Sequence, residues 1–519
     1  MKREEMIAKV ASTSKVYDFI IIGGGATGIG IALEASTRGY SILLLEKSDF
    51  TKSTSSKSTK LVHGGVRYLA QGNISLVREA VVERGLLIKN APHIVKKQSF
   101  IIPADGFFEE IKYLIGLKLY DLLAGSLSLG RSRLLRKKNV LKRLTTLNPT
   151  KITAGILYYD GQFNDSRLAI NVIQTAIENG AVALNYCSVN GLLKDNIGMI
   201  NGIRFTDEET DKIFEVKGKQ VVNATGVFTD DILKMDLPNS KKTIAPSQGI
   251  HLVLDKSFLP GQDAIMIPKT DDGRVLFLVP WCNKVLVGTT DTPIEKESLE
   301  PIALESEIKF ILETAGRYLS KIPKRSDVLG AFAGLRPLAA SSSDNNKTKE
   351  ISRSHKVITS KSGLLTMIGG KWTTFRKMGE ELVDAAENRL KWNSIATKTK
   401  HLKIHGYTND LNLENSLEYY GSDAEKILNL ADQEEMHELL STPLNIIKAQ
   451  VVWAVRHEMA RTVEDFLARR TRCQILNAEE SVKMAPKVAS IMANEMGYSK
   501  KWEVEQVTSY IKVTSNYIL

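Results

Sequence analysis

The pattern of apolar and polar positions along the chain changes character near residue 395. Before that point, short apolar runs typical of strands alternate with stretches of helical periodicity, such as residues 165–179. After it, clear strand patterns stop and apolar residues recur at helical spacing. This arrangement predicts an α/β (α+β) protein in which residues 395–519 form a separate all-helical domain.

The apolar run at residues 18–22 leads directly into Gly23, Gly25 and Gly28, which have G-x-G-x-x-G spacing. The next apolar run ends on Glu46, where a carboxylate can bind ribose hydroxyls. The pattern predicts a βαβ unit that holds a dinucleotide, with the pyrophosphate at the N-terminus of the following helix. A tight strand-to-helix turn without a ligand is the simpler alternative.

Later turns that contain glycine favour FAD over NAD as this dinucleotide. Ala224 and Gly226 follow a predicted strand, and Gly369 and Gly370 precede a predicted helix. In two-domain flavoproteins the chain returns to the first sheet at such points, where a Cβ would strike the cofactor. The helix after Gly370 can direct N–H groups at the flavin, on which negative charge develops during reduction.

Residues 58–69 read Ser-Thr-Lys-Leu-Val-His-Gly-Gly-Val-Arg-Tyr-Leu, and residues 369–376 read Gly-Gly-Lys-Trp-Thr-Thr-Phe-Arg. With these and further segments, in the same order over nearly the whole sequence, the chain resembles the FAD-dependent glycerol-3-phosphate dehydrogenases of the aerobic, respiratory and membrane-associated kind. Phe228 stands where this family usually has Trp. The other matching segments are residues 91–93, 223–230, 247–253, 279–281, 288–292, 333–338 and 454–465.

The resemblance implies a Rossmann-like FAD-binding domain interleaved with an antiparallel-sheet substrate domain, as in glucose-oxidase-like and amino-acid-oxidase-like flavoproteins. The helical domain follows these two. On this basis we assign residues 1–394 to FAD binding at about 16–80, 150–235 and 350–394, and to substrate binding at about 81–149 and 236–349.

The resemblance also implies an activity. The family oxidises sn-glycerol 3-phosphate to dihydroxyacetone phosphate by hydride transfer to FAD, and the electrons pass to a membrane quinone. A glycerol-3-phosphate oxidase, which uses O2 and releases H2O2, would share the same motifs and is the alternative. An amine or amino-acid oxidase is a more distant rival, because it needs a clamp for a carboxylate.

A phosphate-bearing substrate needs a cationic clamp, for which arginine offers a fixed fork and lysine a point charge. The resemblance implies that Arg336, Arg353 and Lys371 form this clamp, and that Arg67 and Tyr68 lie beside the flavin. Taken singly, each arginine could instead form a surface ion pair. The cofactor-binding residues that we expect are Gly23, Gly25, Ala26, Thr27, Gly28, Glu46, Ser58, Thr59, Leu61, Ala224, Gly226, Gly369, Gly370 and Thr373.

The reaction also needs a base for the proton of the substrate hydroxyl, and histidine titrates closest to neutrality. His251 lies in the apolar run of residues 249–254, so we assign it as the base. His63 precedes Gly64 and Gly65, whose small size leaves room for a cofactor, so we assign it as a flavin or substrate contact. A core histidine with satisfied hydrogen bonds is the alternative for each.

The net charge of +11 adds a membrane surface to the candidate partners. Residues 131–143 contain seven basic residues and no acidic one, directly after an apolar stretch at 107–129. An apolar helix followed by a cationic segment is typical of proteins that lie on anionic membranes, although a core helix and a solvated loop fit equally well. The chain carries no recognisable nucleic-acid-binding motif, so we expect no nucleic-acid partner.

The three cysteines are widely spaced and form no CxxC pair, so we expect neither a disulfide framework nor a metal site. The N-terminus lacks an apolar segment of signal-peptide type. These features predict a cytoplasmic protein that is peripheral to the inner face of the cell membrane. A surface location, with a homodimer face as the alternative, is assigned to Arg456, Arg461, Arg469 and Arg470.

Overall fold

The computed structural model describes residues 1–12, 15–69, 72–270, 273–340, 355–410 and 417–519. The strands are β1 Tyr17–Ile22, β2 Ile42–Leu45, β3 Leu61–Val62, β4 Val95–Ala104, β5 Arg133–Arg136, β6 Ala154–Phe163, β7 Val182–Leu184, β8 Cys187–Lys194, β9 Ile200–Asp207 and β10 Lys212–Asn223. They continue with β11 Ile244–Asp255, β12 Ala264–Ile267, β13 Leu276–Trp281, β14 Lys284–Gly288, β15 Thr292–Pro293, β16 Val328–Ala339, β17 Lys356–Thr359, β18 Leu365–Ile368, β19 Leu439–Ser441 and β20 Ile446–Ile447.

The α-helices are numbered in chain order. They are α1 Arg3–Ala11, α2 Ala26–Thr37, α3 Val66–Leu69, α4 Ile74–Asn90, α5 Phe107–Ala124, α6 Lys137–Arg143, α7 Asp165–Glu178 and α8 Thr229–Asp236. The later ones are α9 Glu305–Tyr318, α10 Phe375–Leu390, α11 Asp423–Gln433, α12 Lys448–Glu458, α13 Cys473–Leu476, α14 Ala478–Met496 and α15 Lys500–Thr514.

A largely parallel sheet forms the first layer of the molecule. Its strand order is β17-β18-β10-β1-β2-β7, and β1 pairs in parallel with both β2 and β10. The side chains of β1 and β2 are almost entirely buried, which is typical of parallel strands covered on both faces. Strand β10 is continuous over its 12 residues: its first half pairs with β9 and its second half pairs with β1.

Helix α2 crosses helix α10 at unusually close range above this sheet. A Cβ added to Gly30 would lie 2.6 Å from the carbonyl oxygen of Phe375, and one added to Gly379 would lie 2.5 Å from the carbonyl oxygen of Gly30. Both approaches are sterically impossible for a larger residue. The glycine contact therefore brings the start of α10 beside the turn that follows β1.

A second, mixed sheet forms the other main layer, with strand order β15-β11-β14-β13-β12-β4-β6-β3. Strand β16 pairs with β11 in antiparallel register, so that Ser247 lies opposite Arg336 and His251 lies opposite Phe332. One face of this sheet packs against helices α6 and α9 through a buried apolar core that includes Ile250, Leu252 and Val287. The register thus places His251 and Arg336 on neighbouring strands.

The C-terminal segment, residues 417–519, consists of helices α11 to α15 and the small hairpin β19–β20. Its assignment to exposed surface is wrong for Arg469 and Arg470, which are 3% and 2% exposed. Their guanidinium groups turn inward to the carboxylate of Asp49, at the end of β2. A dimer face therefore cannot be built on these two arginines.

Candidate functional site

A cavity of about 510 Å³ runs between the two sheets. Turns from distant parts of the chain line it, because the parallel strands β1, β10 and β18 all end at this edge of their sheet. Residues 23–27, 51–59, 224–228 and 369–373 form most of its wall. The cavity therefore lies where open α/β sheets bind their ligands.

The glycine turn after β1 is shaped by backbone contacts that exclude side chains. Gly23 has a φ of +109°, and a Cβ there would lie 2.7 Å from the carbonyl oxygen of Ala224. A Cβ on Gly28 would lie 1.8 Å from the carbonyl oxygen of Gly23, so Gly28 lets α2 pack against the turn. Gly23 and Gly25 both line the cavity.

Glu46 lines the same end of the cavity, next to the glycine turn. Its Oε2 accepts a hydrogen bond from the backbone N–H of Gly24 at 2.7 Å, and its Oε1 accepts one from Ser48 at 2.9 Å. Burial raises the pKa of the Glu46 carboxyl above its usual value. The two backbone bonds fix the carboxyl group in position and leave each oxygen with further acceptor capacity.

The segment of residues 51–61 follows the cavity wall towards its other end. Ser58 donates from its hydroxyl to Asp165 at 2.7 Å, which turns the Ser58 side chain away into the protein. Thr59 Oγ1 lies 3.0 Å from His251 Nε2, and Leu61 forms part of the apolar wall. This segment thus joins the cofactor side of the cavity to His251.

The turn of residues 369–373 forms another part of the cavity wall. Its glycines 369 and 370 have φ angles of +73° and +101°. Thr373 Oγ1 accepts a hydrogen bond from the backbone N–H of His63 at 3.2 Å, and Trp372 Nε1 donates to the carbonyl of Ser55 at 2.8 Å. The turn of residues 369–373 is therefore hydrogen-bonded directly to the segment that carries His63.

His251 is fully enclosed, and its imidazole stacks on Phe332 with 5.0 Å between the ring centroids. Burial, together with the positive charges of Lys60 and Arg336, lowers the pKa of His251 well below its usual value. The imidazole is therefore neutral at pH 7. This differs from the expectation that the base titrates near neutrality, because that expectation took no account of desolvation.

A second cavity of about 190 Å³ adjoins the first, and both are lined by Thr59, Leu61, His63 and Arg336. The Arg336 guanidinium crosses strand β11 above Gly249, where a Cβ would lie 2.3 Å from Nη2. Hydrogen bonds hold it to the carbonyl of Thr290 at 2.9 Å and to the hydroxyl of Thr289 at 3.0 Å. The Oδ1 atom of Asp291 lies 3.3 Å from Arg336 Nη1. Arg336 is therefore a cation that its neighbours fix in the pocket wall, and not a solvated surface residue.

Several residues that line the second cavity were not predicted from the sequence, including Tyr158, Asp160 and Arg274. Asp160 accepts hydrogen bonds from Arg84 Nη1 at 2.7 Å and from the Tyr120 hydroxyl, and the Tyr120 oxygen in turn accepts from the N–H of Gly64 at 2.8 Å. No local pattern marks these positions. The one available signal was the Gly-Thr-Thr-Asp-Thr segment at residues 288–292, which supplies further lining residues.

Most of the expected site residues meet at these two cavities. Gly28 does not line them, because it packs under the glycine turn. Arg67 and Tyr68 belong to α3, but their side chains lie outside the described part of the structure, as does the whole of Arg353. The expected residues that line the first cavity are Gly23, Gly25, Ala26, Thr27, Glu46, Ser58, Thr59, Leu61, His63, Ala224, Gly226, His251, Arg336, Gly369, Gly370, Lys371 and Thr373.

Comparisons with known proteins agree along the whole chain. Residues 18–376 match the family described as FAD dependent oxidoreductase, and residues 365–503 match the C-terminal domain of alpha-glycerophosphate oxidase. The chain is 35% identical to the mitochondrial glycerol-3-phosphate dehydrogenase of Saccharomyces cerevisiae, over 99% of this chain and 91% of that protein.

Solved structures give the same result. The glycerol-3-phosphate dehydrogenase from Bacillus halodurans, complexed with FAD, has a TM-score of 0.80 and 28% identity over 100% of this chain and 98% of that chain. The FAD-bound L-alpha-glycerophosphate oxidase from Mycoplasma pneumoniae has a TM-score of 0.58 and 19% identity, covering 74% of this chain and 97% of that chain. The oxidase therefore shows a shared fold. The expected α/β fold class with a helical C-terminal region is confirmed.

The residues of the first cavity fit FAD. Gly226 has a φ of +62°, and a Cβ there would meet no atom within 4 Å, so it would project into open space of the cavity that it lines. The backbone of Gly226 is thus open to close approach by a dinucleotide. Glu46 lines the cavity beside the glycine turn after β1, where a carboxylate can bind the ribose hydroxyls. With relatives along its entire length, the chain belongs to the family of FAD-dependent glycerol-3-phosphate dehydrogenases, and FAD is its cofactor.

Proposed function

We propose that this enzyme oxidises sn-glycerol 3-phosphate to dihydroxyacetone phosphate and passes the electrons to a membrane quinone. When bound, FAD supplies the acceptor for the hydride that leaves C2 of the substrate. The observation that carries the proposal is the junction of the two cavities, where the cation Arg336 and the neutral His251 lie on neighbouring strands. A phosphate ester and a hydroxyl proton need these two kinds of group at one site.

In this proposal Arg336 and Lys371 bind the phosphate group. Arg336 is already oriented by Thr289 and Thr290, so little side-chain entropy is lost when the substrate arrives. Lys371 lines the first cavity from the opposite side. Arg353, Arg67 and Tyr68 keep the roles that the family resemblance gives them.

His251 takes the proton of the C2 hydroxyl. A general base must be unprotonated at the working pH, and the lowered pKa of His251 keeps its imidazole neutral. We assign Nε2 as the accepting atom because it contacts the Thr59 hydroxyl, which lines both cavities. His63, which also lines both, contacts substrate or flavin.

The membrane part of the proposal rests on helix α5. Phe108, Ile115 and Leu122 are 87%, 64% and 75% exposed along one side of this helix, whereas Leu117 and Tyr120 on the other side are buried. An apolar stripe of this kind is costly in water and is stabilised when it enters a lipid interface. Among the described residues, no helix is long and apolar enough to cross a bilayer.

Basic residues adjoin this stripe along the chain. Strand β5 and helix α6 carry exposed Arg133, Arg136, Lys137 and Lys138, which suit the negative headgroups of an anionic leaflet. A core helix followed by a solvated loop fits poorly with so many exposed apolar side chains. The proposed location is therefore the inner face of the cell membrane, where a quinone is within reach.

Anaerobic addition of glycerol 3-phosphate to the holoenzyme tests the reaction. The visible absorbance of the bound flavin should bleach with glycerol 3-phosphate and not with glycerol, because only the former offers a phosphate. The bleached enzyme should then reoxidise rapidly with a soluble quinone and slowly with O2. Failure to bleach would contradict the substrate, and rapid reoxidation by O2 with release of H2O2 would favour the oxidase.

A further inference from the structure

We propose that Arg472, in the C-terminal segment, is a positioning residue for FAD, because it holds the part of the chain that walls the cofactor cavity. Its side chain is 2% exposed and reaches from the C-terminal segment to residues 56 and 166. Its Nη2 donates to the carbonyl oxygen of Ser56 and lies 3.3 Å from a carboxylate oxygen of Asp165. Its Nη1 donates to the hydroxyl of Ser166 at 2.8 Å.

The segment that Arg472 holds has little regular structure of its own. Residues 51–60 contain one short 3₁₀ turn, Thr54–Ser56, and the first strand pairing comes later, at Leu61. Nevertheless, the cavity is lined by residues 51–55 and 57–59 of this segment. A few backbone hydrogen bonds, such as the one from the N–H of Thr51 to the carbonyl oxygen of Gly24 at 3.2 Å, hold this segment. Because no long helix or sheet ladder adds to them, side chains bonded to the segment contribute much of what fixes its conformation.

Asp165 is the centre of these bonds. This fully buried carboxylate accepts from Lys60 Nζ at 2.6 Å and from the Ser58 hydroxyl at 2.7 Å, and Arg472 supplies a second cation. Although burial by itself raises it, Lys60 and Arg472 hold the pKa of Asp165 below its usual value. Burial lowers the pKa of Lys60 to about 7, which shows how strongly the site penalises charge.

Removal of either cation would therefore leave a buried charge poorly paired. The residues bonded to Asp165 are neighbours of Thr59, and Thr59 contacts His251. A shift of this segment would thus reach both the cofactor wall and the proposed base.

The start of the same segment is also held from the C-terminal segment. Asp49 accepts from Arg470 Nη1 at 2.7 Å and from Arg469, and Lys52 forms an ion pair with Glu464. The chain is thus fixed at Asp49, Lys52 and Ser56 by residues 464–472, which come from the other end of the sequence. This repeated anchoring indicates that the C-terminal segment shapes the FAD site.

Arg472→Met tests this role, because methionine keeps much of the side-chain length and removes the charge. The full-length protein is stripped of FAD and titrated with FAD, and the quenching of FAD fluorescence gives the Kd. We expect the Kd to rise at least about tenfold, since several bonds to a buried carboxylate and carbonyl are lost. Amide hydrogen exchange of the FAD-free protein should become faster across residues 51–60. No substrate is present, so the result is independent of the proposed reaction.

Arg456→Met is the matched control, because Arg456 belongs to the same C-terminal segment but pairs with Glu434 and Glu495 near the surface. It should leave the Kd for FAD unchanged. Arg472→Lys keeps the charge without the fork and should recover part of the lost affinity. An unchanged Kd and unchanged exchange in Arg472→Met would overturn the proposal, as would an equal rise in Kd in the Arg456→Met control.

If Arg472→Met does not fold, Glu464→Gln provides the decisive measurement. It weakens the ion pairs that Glu464 forms with Lys52 and with Arg469, and leaves the bonds of Arg472 in place. The Kd for FAD should then rise about threefold, with faster exchange across residues 51–60. Wild-type values for both quantities would overturn the proposal.

Discussion

At the scale of single residues, Arg336 is the proposed contact for the phosphate group. Its guanidinium is held by two threonines and lines both cavities. Arg336→Ala should cost about 2–5 kcal/mol of binding to substrate or transition state, because it removes a desolvated charge partner. This corresponds to a loss in kcat/KM for glycerol 3-phosphate of about 30-fold or more.

The control for this prediction is Arg325→Ala. Arg325 pairs with Glu305 on an exposed surface, so its removal should leave kcat/KM unchanged. A value for Arg336→Ala within twofold of wild type would show that this arginine does not bind the phosphate.

His251 gives a second prediction, on the dependence of the rate on pH. Because a base must be unprotonated and the pKa of His251 is lowered, kcat/KM should hold steady as the pH falls through 6.5, the ordinary pKa of histidine. His251→Ala should lower kcat by about 100-fold while flavin stays bound. Unchanged flavin reduction by substrate in this variant would remove His251 from the mechanism.

At the scale of elements, helix α5 should govern binding to membranes. The paired change Phe108→Glu and Ile115→Glu places charge on the exposed stripe and removes about 3 kcal/mol or more of apolar burial in the interface. Binding to vesicles that contain anionic lipid, measured by co-sedimentation, should fall at least about tenfold.

Helix α15 supplies a control of the same geometry. Val504 and Ile511 are also exposed apolar residues seven positions apart, at 60% and 43% exposure. Changing both to Glu should leave vesicle binding intact. Equal losses in the two double variants would mean that general charge, and not the α5 stripe, sets the affinity.

At the scale of the whole molecule, His405 connects the FAD-binding layer to the C-terminal segment. Its imidazole bonds to Glu178 at the end of α7 and to Asp423 in α11, the latter at 2.7 Å. Although burial by itself lowers it, these carboxylates raise the pKa of His405 to about 9, and the pKa of Asp423 falls to about 2.

A raised histidine pKa stabilises the fold below its unfolded value of about 6.5, and this stabilisation is lost as the pH rises through about 9. His405→Gln should therefore lower the free energy of unfolding by about 2 kcal/mol at pH 6 and by much less at pH 10. Thermal unfolding at the two pH values measures the difference. His437→Gln, which removes an exposed pair with Asp432, should change neither value.

The sequence predicts the parts of this molecule that depend on local geometry. The turn at Gly23 and Gly28 is visible because a strand, a tight turn and a helix leave a fixed spacing. The assignment of Arg336 depends on the family resemblance, whereas that of His251 depends on its position in the apolar run of residues 249–254. Their approach arises from strand pairing between β11 and β16, which no short window of sequence contains.

The buried arginines show where such prediction fails. Charged residues are rarely buried unless paired, so a cluster of them in a helical region is ordinarily assigned to the surface. Arg469 also pairs with Glu464 and Asp465 close by. The carboxylates outside the C-terminal segment that these arginines meet, Asp49 and Asp165, lie more than 300 residues away in sequence. Only the folded chain brings Asp49 and Asp165 to them.

The cavity wall is assembled from distant parts of the chain, and this has a consequence for biosynthesis. Its turns are separated by long stretches of chain, from Gly23 to Thr373, and Arg472 braces one of them from outside. A ribosome delivers these parts one after another, so a growing chain has no complete pocket until residue 472 has emerged. FAD should therefore join the protein near the end of translation or afterwards, and cells short of the cofactor would accumulate a chain that is already fully made.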